Sequence, residues 1–172
     1  MRTRLPEFQS ILQVYAVIAV MFAGWTITAF LWKLSAWLLL LNLGELFTIF
    51  SYAMAANFVE SLIVLFLLLF ACTLLPAHIL RDDFVVRGTI LSLGSIGSLM
   101  AFVGSHMQFG MESGFRLLIA PLVVLAITIF VLKSGFMRSI AVWLSDRVTV
   151  FLLLLLPLFA ILSTYVIFRN IG

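Results

Sequence analysis

The chain has 172 residues, of which 65% are hydrophobic and only 10% charged, and its mean hydropathy is +1.28. Soluble domains carry about 25% charged residues, so this composition excludes a soluble enzyme, a nucleic-acid module, a disordered tail and a secreted disulfide scaffold. The net charge of +3 reports orientation in a bilayer, because Lys and Arg stay on the cytoplasmic side during insertion.

A transmembrane helix needs about 20 apolar residues to cross about 30 Å of hydrocarbon, so charge-free intervals mark candidate spans. The start, Met1-Arg2-Thr3-Arg4, has the basic character of a signal peptide. The apolar run behind it is too long, and no small-x-small cleavage site closes it, so a retained span over 11–32 is expected. Residues 34–56 are apolar but interrupted by Glu45, which leaves pieces too short to cross. Within them Asn42, Glu45, Thr48 and Tyr52 recur at helical spacing, and Trp32 and Trp37 flank the start as headgroup-level rings do. An interfacial or re-entrant segment is expected there. Further spans are expected over 60–80, 88–105, 115–133 and 148–168, the fourth extended by snorkelling of Arg116 and Lys133.

The expected architecture is all-α: one polytopic membrane helical bundle over 1–172, with five transmembrane helices plus the interfacial segment, and six spans as the alternative. Five spans with a cytoplasmic N-terminus place Arg2, Arg4, Arg81, Arg87, Lys133, Arg138 and Arg147 inside. Only Lys33, Arg116 and Arg169 then fall outside. Counting 34–56 as a span with the N-terminus still inside reverses that balance. The expected location is a bacterial cytoplasmic membrane, with the C-terminus outside.

Ionisable and polar residues inside a bilayer are costly and mark functional candidates. Glu60 follows Asn57 by three residues on one helix face, where the amide can donate to the carboxylate or both can bind a polar group; Glu45 is the next candidate. His78 and His106 are possible ligand or cofactor contacts, but they fall near opposite membrane faces, which argues against a bis-His haem. Cys72 lies in an apolar run and is expected to pack or to face lipid. No CxxC or HExxH spacing is present, so no metal site is expected. In the third span Gly94, Ser98, Ala101 and Ser105 share a face, and Gly97, Ala101 and Gly104 a neighbouring one. Small residues so spaced allow close helix approach in lipid. Pro157 and Pro121 are expected to kink their spans. The compact turn containing Arg81, Asp82, Asp83 and Arg87 is expected to pair with the loop carrying Asp146 and Arg147 and so to tie neighbouring helices together.

An apolar block of five spans with an extracytoplasmic segment after the first, carrying Leu38-Leu39-Leu40-Leu41-Asn42-Leu43, is similar to the membrane domain of lipoteichoic-acid-synthase-like enzymes over about half the chain. That family carries its catalysis in a large extracellular domain, and none of its catalytic motifs is present here. The resemblance therefore implies architecture alone.

Together these features point to a non-catalytic integral membrane subunit or scaffold in a larger assembly. Its partners are the lipid bilayer and other membrane proteins or further copies of itself, with no nucleic acid. The alternatives are a small transporter or channel using Glu60, Asn57 and Glu45, or a membrane enzyme using Asp82, Asp83, His78 and Asp146 on a lipid-soluble substrate. The scattered Phe residues leave a pigment, quinone or lipid ligand open, and no cofactor is assigned.

Overall fold

The computed structural model describes residues 6–75, 80, 83–109 and 135–171. These form four helices: α1 (Phe8–Trp37), α2 (Leu43–Leu74), α3 (Phe84–Phe109) and α4 (Gly135–Ile171). α1, α2 and residues Arg138–Ile171 of α4 are long and apolar enough to cross a membrane, and Phe84–Met100 of α3 forms a shorter apolar helix. The described residues thus form an all-helical bundle with three long candidate spans. They do not reproduce the expected count of five, and the expected span over 115–133 lies outside the described residues.

The largest departure from expectation concerns residues 34–56. The first few of them finish α1, a short turn follows, and the rest run without interruption into α2. At 1.5 Å per residue, α2 is about 48 Å long, more than enough to cross the bilayer. Glu45 does not break the segment, because it belongs to the helix cap. The Asn42 side chain accepts from Glu45 N at 2.9 Å, and Glu45 Oε2 accepts from Asn42 N at 2.9 Å. This reciprocal capping box satisfies backbone donors that the first turn of any helix leaves unpaired. The chain reverses through Leu38–Asn42, where Leu41 N donates back to the Trp37 carbonyl at 2.8 Å.

Contacts along the helices set their directions. α2 is antiparallel to α1: Tyr15 meets Ser61, Phe22 meets Asn57 and Phe30 meets Phe50. α3 runs parallel to α1, with Gly88 against Val14 and Gly97 against Met21. α4 is antiparallel to α2, with Tyr165 against Thr48 and Phe159 against Phe58. Three helices therefore point one way and α2 the other. Trp32 and Trp143, both well exposed, lie near opposite ends of this bundle, where aromatic belts sit in membrane proteins.

The buried core is concentrated in one half of α1, from Val14 to Ala23. There it splits into two clusters. Tyr15, Ala16 and Ala19 pack with Met54 of α2 and with Leu152, Phe159 and Leu162 of α4. Val14 and Ile18 pack with Cys72, Leu80, Phe84 and Ile96. Cys72 is thus a packing residue, and a small side chain suits that crowded position. Pro157 sits on the exposed side of α4, which continues as one helix through it; Pro121 lies outside the described residues. In lipid, such helices are held by close packing and interhelical hydrogen bonds more than by hydrophobic exclusion. That makes the few buried polar groups important.

Candidate functional site

Asn57 is buried against α1, and its amide donates to the Phe22 carbonyl at 3.3 Å and to the Thr26 hydroxyl. The expected partnership with Glu60 is not formed: the amide faces α1 while Glu60 is exposed. One turn further along α2, the Tyr15 and Ser61 hydroxyls meet at 3.3 Å, and Ser61 also donates to the Phe58 carbonyl at 2.8 Å. These two polar contacts lock α1 to α2 inside the bundle. An interhelical hydrogen bond of this kind is worth about 0.6–2 kcal/mol in a membrane. Asn57→Ala is therefore expected to lower the thermal midpoint of the detergent-solubilised protein. Adding Thr26→Val should then cost little more, because the two share one interaction. Fully additive losses in a double-mutant cycle would show that the contact carries no coupling.

Glu60 is placed differently. It lies near the midpoint of α2, more than about 20 Å from either helix end at 1.5 Å per residue. Ala56, Ile63 and Leu67, one or two turns away on the same stripe, are exposed as well. The carboxylate is thus set in an apolar outer face. Glu45, by contrast, is consumed by the capping box and sits at the end of the bundle. Thr48 and Tyr52, which continue its stripe, face α4: Thr48 meets the Tyr165 hydroxyl at 3.1 Å, and Tyr52 donates to Asn170 Oδ1 at 2.7 Å.

In α3 the close approach is at Gly88. A Cβ there would lie 3.1 and 3.2 Å from the two Val14 methyls and 3.4 Å from Leu68. Thr89, Ser92 and Ile96 are buried on the same helix. The Thr89 and Ser92 hydroxyls have no partner in the structure, although a hydroxyl on a helix can reach the carbonyl one turn back. Gly94, Gly97 and Ser98 are half-buried, and a Cβ on Gly97 would meet only the Met21 Cε at 3.9 Å. Ala101, Gly104, Ser105 and His106 belong to α3, and their side chains lie outside the described residues.

His78, Arg81 and Asp82 also lie outside the described residues. Asp83 pairs with Arg138 at 2.7 Å and so ties the start of α3 to the start of α4. The helix-tying ion pair expected from this turn thus involves Arg138, while Asp146 and Arg147 are exposed. Because both partners of this pair are partly solvated, it contributes at most about 1 kcal/mol. Among the described residues no three of His, Cys, Asp and Glu come together as a metal site would require.

The residues that reading the chain alone overlooked are Arg169, Tyr165 and Asn170, which converge with Thr48 and Tyr52 at one end of the bundle. No spacing signal links them, since the pairs are more than a hundred residues apart. The Asn42-x-x-Glu45 cap, in contrast, carries a sequence signature.

Comparisons with protein families, curated proteins and solved structures found no match to this chain. The likeness to lipoteichoic-acid-synthase-like membrane domains therefore gains no support from them.

Proposed function

We propose that this protein is a non-catalytic integral membrane subunit that holds a partner transmembrane helix against the outer face of α2. The observation behind this reading is the position of Glu60, a carboxylate exposed at mid-helix within the apolar stripe of Ala56, Ile63 and Leu67. An acidic or basic side chain at the centre of a lipid-facing helix costs roughly 2.5–3.5 kcal/mol on insertion scales. A basic or hydrogen-bond-donating side chain on a neighbouring helix removes that cost. The inward polar groups Asn57, Tyr15 and Ser61 are already occupied in helix contacts, so they support a rigid scaffold better than a polar conduction path.

The orientation proposed is N-terminus cytoplasmic and C-terminus outside, in a bacterial cytoplasmic membrane. Five crossings accompany it, with 115–133 as the fourth. The parallel course of α3 and α4 is consistent with this count.

A photo-crosslinking residue at Ile63, introduced in native membranes, tests the reading. It should yield one protein adduct of fixed mass, and Glu60→Ala should abolish that adduct. Labelling of lipid alone would overturn the proposal.

A further inference from the structure

We infer that the rim formed by the start of α2 and the end of α4 binds the phosphate of a membrane phospholipid, with an acyl chain of that lipid in the adjoining groove between α1 and α2. This site stands on residues separate from Glu60 and is independent of the partner-helix reading. Arg169 follows the charge-free run 148–168 and so lies at headgroup level. One guanidinium nitrogen donates to the Thr48 hydroxyl and lies 3.4 Å from the Tyr165 hydroxyl. Neither is an anion, and the Asp83–Arg138 ion pair lies at the opposite end of the bundle.

Among the described residues no carboxylate is paired with Arg169. Asn170 accepts from Tyr52 through Oδ1, which leaves its amide N–H groups as donors at the same rim. The nearby carboxylate, Glu45, is committed to the Asn42 backbone. A cation surrounded by donors and hydroxyls is complementary to a phosphate, which a guanidinium binds through paired N–H groups.

The groove supplies the second half of the site. It has a volume of about 520 Å³ and is walled by apolar side chains, among them Ile27, Phe30, Leu34, Leu43, Leu46 and Phe47. That volume falls within the roughly 300–1,000 Å³ typical of small-molecule sites. Phe47 is shared: it lines the groove and packs its ring edge-on to Tyr165 at 5.0 Å. A ligand with a phosphate head and a hydrocarbon tail satisfies both halves, whereas inorganic phosphate satisfies only one.

Native mass spectrometry of the full chain in detergent tests this, with phosphatidylglycerol, phosphatidylcholine, diacylglycerol and inorganic phosphate as separate probes. Both phospholipids should be retained and diacylglycerol lost. Arg169→Gln should reduce phospholipid retention about tenfold or more, and Arg169→Lys should restore part of it. Leu34→Trp, which fills the groove, should also lower retention with Arg169 intact. Equal retention by Arg169→Gln and the unaltered protein would overturn the site. So would equal retention of diacylglycerol, or displacement of the lipid by inorganic phosphate alone.

Discussion

Replacing Gly88 with leucine is expected to separate α3 from α1 and α2 and to lower the thermal midpoint more than any other single change in the bundle interior. Even a methyl group at this position would lie 3.1 Å from a Val14 methyl. Val14 is fully buried and, being β-branched, has essentially one helical rotamer, so it cannot turn aside. Overpacking of this kind costs about 1–3 kcal/mol and sometimes more. Gly97→Ala is the matched control. Its nearest neighbour is the flexible end of Met21 at 3.9 Å, and exchanging a helical glycine for alanine gains up to about 1 kcal/mol of propensity. Thermal unfolding followed by size-exclusion chromatography should show loss for Gly88→Leu, with Gly97→Ala unchanged or stabilised. Equal tolerance at both positions would contradict the packing at Gly88.

Glu60→Ala is expected to release the partner helix while leaving the isolated bundle folded. The side chain is exposed and forms no contact that α2 needs, so the thermal midpoint of the solubilised subunit should hold or rise. Truncating one member of a desolvated charge pair costs about 2–5 kcal/mol of binding, which weakens the complex by roughly thirty-fold or more. Glu60→Gln keeps the shape and one acceptor and should fall between the two. This pattern, binding lost with stability kept, separates a docking residue from a structural one. Asn57→Ala should show the reverse, because its amide holds α1 and α2 together.

Much of the architecture was legible in the chain because lipid imposes a simple rule: long charge-free runs become helices. The runs 11–32 and 148–168 lie inside α1 and α4, and Glu60 stands out as a lone charge among aliphatic residues. Glu45 shows where counting charges fails. Read as an interruption it divides 34–56 into fragments, whereas as the third residue of a capped helix it starts one. The distinction rests on Asn42, three residues earlier, and on local hydrogen bonding that a hydropathy count does not contain. The glycine pattern of the third span left the closest approach open for another reason. Several small-residue faces fit the same spacing, and only the position of Val14 on another helix decides that Gly88 is the close contact. Asn57 with Thr26, and Arg169 with Thr48, are likewise pairings between distant segments that one-dimensional spacing cannot reveal.

The central claim is that Glu60 marks a surface for another membrane helix, and the mass of the particle extracted from native membranes tests it most directly. In a mild extraction that retains neighbouring subunits, the account predicts this chain in fixed ratio with a second protein whose transmembrane helix carries a basic or donor side chain, and loss of that protein from Glu60→Ala membranes. A particle containing this chain alone, with the same mass before and after the substitution, would contradict it.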